Sequence, residues 1–155
     1  MPTGDERLNH IIAKHVKESM RVFFDTNVIL DIPLGREVAR SSQQLLELSG
    51  SPPHSLFMSW HTLSMLSYIL AKARDDEAAR AFLSDLLDHV EIGPASTEMA
   101  QRALVLELQD FEDAMQVVVA ESVAADVIVS RNLADCSRSP VPATDPETCL
   151  MRFAR

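Results

Sequence analysis

Cysteine, basic side chains and long apolar runs are scarce in this sequence, and each shortage closes off a class of function. Cys136 and Cys149 lie far apart, with no Cys-x-x-Cys spacing. Neither a zinc site nor a disulfide framework follows, and both are expected as free thiols in a reducing compartment. Lys and Arg number 14 against 23 Asp and Glu, a net charge of −9. That excludes a broad phosphate-binding or membrane-binding surface, which would rest on Lys and Arg. No stretch approaches the ~20 apolar residues of a membrane span. The start, Met1-Pro-Thr-Gly-Asp-Glu-Arg7, has no signal-peptide layout, so a cytoplasmic location is expected. Internal repeats and low-complexity segments are also lacking.

What is present is ordinary globular material. The 155 residues are 46% hydrophobic and 24% charged, enough for one domain with a sizeable core. Leu8, Ile11, Ile12 and Val16 fall at helical spacing. Residues 1–19 are therefore expected to form a helical extension ahead of a domain over 20–155. His10 and His15 are five apart, a poor spacing for a shared metal, and read as solvated surface.

The segment Arg21-Val-Phe-Phe-Asp-Thr-Asn-Val-Ile-Leu30 organises the rest. Val22, Phe23 and Phe24 predict a buried strand. The run stops at Asp25, which either caps a turn or helix or serves a ligand at the carboxyl edge of a sheet. Helices are expected over 37–48, 61–73, 75–89, 96–108 and from Asp110 to about 123. Further strands are expected at 55–59, 90–92 and 126–130, with Val141 in a short edge strand. Thr144-Asp-Pro-Glu147 resembles a capping box opening a last helix. Strands alternating with helices imply a three-layer α/β/α sandwich around a mostly parallel sheet.

Acidic residues from distant segments then converge on one edge. Asp25 follows the first strand, and Asp135 follows the fourth by one loop. The helix from Asp110 reaches that strand through the tight link Ala124-Ala125, so its start returns to the same edge. Asp110 and Asp113 share a helix face, while Glu112 points about 100° from Asp113 and reads as solvated. Asp110 is equally good as a helix cap. Asp126 begins its strand at the opposite edge and reads as a turn residue. Unpaired, such carboxylates repel one another, and a divalent cation relieves the repulsion. Oxygen ligands without His or Cys favour Mg²⁺ or Mn²⁺, which suits phosphodiester hydrolysis. Arg131 is the nearest candidate for a phosphate contact, followed by Arg138. Asn27 and Asn132 orient ligands or adopt turn geometry.

Phe24-Asp-Thr-Asn-Val-Ile-Leu30, Asp110-Phe-Glu-Asp-Ala114, Asp126-Val-Ile-Val-Ser-Arg-Asn-Leu-Ala-Asp135 and Val141-Pro-Ala-Thr-Asp-Pro-Glu147 resemble successive PIN-domain signatures, in order. The Asp-Phe-Glu-Asp form resembles the branch grouped with VapC-type toxins. The resemblance implies an α/β/α fold and an Mg²⁺- or Mn²⁺-dependent ribonuclease acting on RNA. It also implies a cognate antitoxin protein and frequent homodimerisation. It assigns the family acids to Asp25, Asp113 and Asp135, with Asn27 and Ser130 assisting; Asp110 or Glu112 is expected to complete the metal site. Two departures stand out. Met65 occupies the place of a further family acid, and Cys136 replaces the usual aromatic after Asp135.

Two rival readings accompany this one. A PIN fold weakened at Met65 would serve as an RNA- or protein-binding module. An aspartyl-phosphate protein would use Asp25 as nucleophile, but that pattern wants an acid where Asn27 stands.

Overall fold

The computed structural model describes residues 19–48, 54–108 and 110–153. The expected helix over residues 1–19 falls almost wholly outside them. Among these residues five strands form one sheet: β1 Arg21–Phe24, β2 Ser55–Met58, β3 Glu91–Ile92, β4 Val127–Val129 and β5 Ala143–Thr144. Their order is β3-β2-β1-β4-β5, and every pairing is parallel. Seven helices connect and follow them among the described residues: α1 Thr26–Leu30, α2 Ala39–Glu47, α3 Trp60–Ala73, α4 Asp76–Leu87, α5 Thr97–Val105, α6 Phe111–Ser122 and α7 Pro146–Phe153.

The strand period of two sorts the core into two layers. Val22 and Phe24 of β1 join Leu56, Met58, Val127 and Val129 on one face. That face packs against Ile29, Leu45, Leu66, Leu86 and Cys149, so α1 to α4 and α7 cover it. Phe23, Phe57 and Ile128 point the other way, onto Val117, Ala120 and Val123 of the α6 segment, with Met99 of α5 alongside. Register places Phe23 opposite both Phe57 and Ile128. A one-residue slip would send these rings into the wrong layer. Burying each such side chain contributes about 1.5–3 kcal/mol, so the alternation specifies both register and layering. The expected three-layer α/β/α sandwich with a parallel sheet is what forms.

Strand order reverses at β1: the chain builds outward through β2 and β3, then returns to β1's other side with β4. Ligand crevices in open α/β sheets lie outside the strands' carboxyl ends at such a reversal. The residues leaving β1 and β4 there are Asp25 and Ser130. At the opposite edge Asp126 closes the same strand pair, its carboxylate accepting from the Arg21 amide at 2.8 Å.

Local chemistry sets the helix ends. Ser59, Asp75, Ser96 and Asp110 each cap a helix by accepting an amide hydrogen bond from the first turn. Several expected boundaries move. The edge strand is Ala143–Thr144 rather than Val141, which is buried just before it. Thr144 therefore belongs to β5, and Asp145 caps α7, accepting from the Thr148 amide at 2.8 Å and the Thr148 hydroxyl at 2.7 Å. The last helix obeys its cap; the threonine is taken by strand pairing. Helix α5 stops at Val105, short of the expected 108. Helix α1, five residues long, takes up the apolar residues Val28, Ile29 and Leu30 just past Asp25.

The link from α6 to β4 runs over Val123–Asp126, longer than Ala124-Ala125 alone. Ala124 has φ 51°, left-handed for a non-glycine residue. The Ala125 amide donates to the Ala120 carbonyl and the Ala124 amide to Glu121, a Schellman closure with alanine where glycine is usual. Left-handed alanine costs roughly 1–2 kcal/mol. Ala124→Gly is therefore expected to raise stability by about 1 kcal/mol. Thermal denaturation should show that as a Tm increase of roughly 2–4 °C; an unchanged or lower Tm would contradict strain at this link.

Candidate functional site

Asp25 leaves β1 with its amide donating to the Val129 carbonyl at 2.9 Å, so the strand ladder sets its position. It stands at the N-cap of α1, yet its side chain makes no capping bond. The carboxylate turns to the edge instead. Oδ1 accepts from Nε2 of Gln116 at 3.0 Å, and Oδ2 accepts from the Ser130 hydroxyl at 3.0 Å. Ser130 is buried, and its Oγ also accepts from the Asn132 amide at 3.1 Å. The Asn132 side-chain amide in turn donates to Asp135. A continuous chain thus runs Gln116, Asp25, Ser130, Asn132, Asp135, joining α6, β1 and the loop after β4.

Asp113 approaches from the first turn of α6. Asp25, Asp113, Gln116, Ser130, Asp135 and Cys136 surround a cavity of about 20 Å³, roughly the room of one water molecule. Asp113 and Asp135 also border a wider groove of about 710 Å³ with Asp110, Phe111 and Arg138. Burial first, then the charges of Asp110, Asp25, Asp135 and Glu112, push the Asp113 carboxyl up to about 6. Burial likewise raises the Cys136 thiol, so it adds no soft thiolate at neutral pH. The donors are carboxylates, an amide and a hydroxyl, the chemistry of a hard divalent cation. Among the described residues, no three His, Cys, Asp or Glu side chains form a ready-made cage. The acids ring a hole rather than grip a point.

The other sequence candidates fall around this centre. Asp110 spends Oδ1 on the Glu112 amide at 2.8 Å as the α6 cap, leaving its carboxylate on the groove rim. Glu112 is not fully solvated: its Oε1 faces His61 Nε2 at 3.9 Å. Asn27 is exposed on α1, two residues past Asp25. Arg131 turns away, its Nε 2.7 Å from Oδ2 of Asp31, and lines a separate cavity with Arg40 and Glu147. Arg138 is the arginine beside Asp113 and Asp135. Met65 is half-buried in α3, one turn beyond His61. Cys136 and Cys149 are free thiols, as expected.

Three residues escaped the sequence reading. Gln116 is 4% exposed within an apolar helix, and a lone polar residue in the Met115–Ala120 run was a usable signal. His61 stands at the start of α3 with Nδ1 2.9 Å from Ser59 Oγ. Asp31 is fully buried between Arg36, at 3.1 Å, and Arg131. No spacing rule pairs it with a residue one hundred positions away.

The family model for the PIN domain matches residues 21–134. The chain belongs to the PIN domain family. The matched span holds the whole Gln116–Asp25–Ser130 centre and two of the three resemblance-assigned acids of this PIN domain, Asp25 and Asp113; Asp135 lies one residue beyond it. Similar folds occur in a toxin–antitoxin complex from Klebsiella pneumoniae, at 26% identity and TM-score 0.63, covering 81% of this chain and 97% of that one. VapBC2 from Rickettsia felis, bound to a promoter DNA fragment, gives 20% identity and TM-score 0.63 over 81% and 98%. VapC20 from Mycobacterium tuberculosis, a sarcin–ricin loop cleaving toxin, gives 19% and TM-score 0.55 over 69% and 86%. No curated protein sequence matches the chain.

The raised Asp113 fixes a pH dependence for this PIN domain. A carboxyl favoured in its protonated form by the fold adds stability below its unfolded pKa of 3.8, and that contribution is lost as pH climbs to about 6. In chelator, Asp113→Asn is expected to be at least as stable as the native protein at pH 7. Its advantage should shrink as pH falls toward 4. Thermal melts across that range check the sign, and a growing advantage at low pH would contradict it.

Proposed function

We propose that this PIN domain is a metal-dependent endoribonuclease, the toxin of a toxin–antitoxin pair, using Mg²⁺ or Mn²⁺. One observation carries the reading. Among the described residues, none of Asp25, Asp113 and Asp135 pairs with Lys or Arg, whereas neighbouring Arg131 is committed to Asp31. The acidic centre thus keeps a charge deficit that a divalent cation matches. The toxin–antitoxin complexes of similar fold support an antitoxin partner, and the sarcin–ricin loop cleaving toxin supports RNA as substrate.

When bound, the cation supplies Lewis acidity, lowering the pKa of water and neutralising charge on the phosphate. Asp25, Asp113 and Asp135 would hold it. Ser130 and Gln116 keep Asp25 in one orientation without adding charge, leaving its affinity for a cation intact. Asn132 does the same for Asp135. Arg138, which borders the groove, would meet a phosphate entering along it. Asp110 adds negative charge at the rim, which makes bare RNA entry dependent on the cation.

A second reading, a non-cleaving RNA- or protein-binding module, is favoured by Met65 alone, whose thioether is a poor ligand for a hard cation.

Calorimetric titration with Mg²⁺ and Mn²⁺, with RNA cleavage followed on the same samples, tests the proposal. Binding and cleavage are expected in the native chain. Asp25→Asn and Asp113→Asn should each cut cleavage by at least about 10²-fold. Metal binding with no cleavage of total RNA or isolated ribosomal RNA would favour the binding module; no metal binding would remove the chemistry altogether.

A further inference from the structure

Among the described residues, the buried side-chain atoms with no hydrogen-bond partner include Nε2 of His61, on which the charge of Asp25 acts, and Oε1 of Gln116, whose amide nitrogen holds Asp25. Gln116 is 4% exposed, and its orientation is set because Nε2 donates to Asp25 Oδ1 at 3.0 Å. Its carbonyl oxygen therefore lies next to the Asp25 carboxylate and accepts from no donor among the described residues. Leaving such an acceptor dry is costly unless a ligand meets it.

His61 is held from behind. Its Nδ1 lies 2.9 Å from Ser59 Oγ, which lies 2.9 Å from Thr62 Oγ1, which lies 2.8 Å from Thr26 Oγ1. Ser59, Thr62 and Thr26 are all buried. In the tautomer whose Nδ1–H donates into this hydroxyl chain, Nε2 presents a lone pair, the arrangement that outer partners impose on metal-bound imidazoles. That nitrogen faces Glu112 Oε1 at 3.9 Å. Glu112 and Gln116 are four residues apart and share one face of α6. Met65, where the resembled family would place an acid, offers no oxygen one turn along α3.

We propose that His61, Glu112 and Gln116 form a second cation subsite beside Asp25, doing what a carboxylate at position 65 would otherwise do. The subsite rests on the reading of the Asp25 pocket as a divalent-cation site. Its imidazole nitrogen shifts preference from Mg²⁺, which seeks oxygen, toward Mn²⁺ among the two ions considered.

Mn²⁺ alone is the probe, by calorimetry and by paramagnetic broadening of histidine ring signals in NMR. The native chain should bind two Mn²⁺ ions and lose the His61 signals first among its 5 histidines. His61→Ala and Glu112→Gln should each weaken one ion by at least the roughly 10–100-fold that outer partners of metal ligands command. Asp113→Asn should remove the other ion. Met65→Glu should restore the weakened ion in His61→Ala, which a merely structural role for His61 would not allow. If His61→Ala does not fold, Glu112→Gln carries the same comparison. One ion, lost in Asp113→Asn but indifferent to His61→Ala or Glu112→Gln, with His61 signals unbroadened, would overturn the subsite and leave the main pocket standing. No Mn²⁺ binding at all would overturn both.

Discussion

A carboxylate at the end of a buried strand must be paired or hydrogen-bonded, and the way Asp25 meets that demand shapes the rest of the molecule. Its partners are a hydroxyl and an amide, Ser130 and Gln116. Neutral donors compensate for lost hydration without cancelling charge. They also come from different layers: Ser130 leaves β4, and Gln116 stands on α6. Holding Asp25 therefore requires the β1–β4 pairing and the packing of α6 on Phe23 and Ile128 to be in place first. The site is a product of the assembled sheet, not of any one segment.

The same economy of charge appears one helix away. Asp31, fully buried, takes both Arg36 and Arg131. A buried carboxylate with two guanidinium partners is a structural pin; removing both partners would leave charge stranded in the interior. It ties the end of α1 to the residue that follows Ser130, and so steadies both walls of the crevice. It also keeps Arg131 from neutralising Asp25 and Asp135. Two aspartates six residues apart thus have opposite fates, one quenched and one left open.

The fold was largely legible. Val22-Phe23-Phe24, Leu56-Phe57-Met58 and Val127-Ile128-Val129 are apolar on both faces, which is how strands buried between helices look. Asp75 and Ser96 announced their helices correctly. Misjudged boundaries have a common cause: long-range pairing overrode a local signal. Thr144 could have opened a helix but pairs with Val129 in the sheet, and the cap passed to Asp145. Val141 has a strand former's side chain, yet it fills the core beside Phe57 and Ile128 while the strand forms two residues later.

Of the centre, Asp25, Asp113 and Asp135 were legible because strand ends and helix starts in a parallel sheet share an edge. That is a consequence of topology, and topology follows from the alternation of short apolar runs with helical periods. The sequence alone thus determined the layered fold, the edge and its acidity. Tertiary structure decided the partners: which carboxylate is pinned by arginine, which amide holds Asp25, and where His61 and Glu112 meet. Hydrogen bonds and ion pairs act over about 3 Å, so they depend on side-chain directions summed over many packed residues. No spacing along the chain encodes that sum for Asp31 and Arg131, or for Gln116 and Asp25.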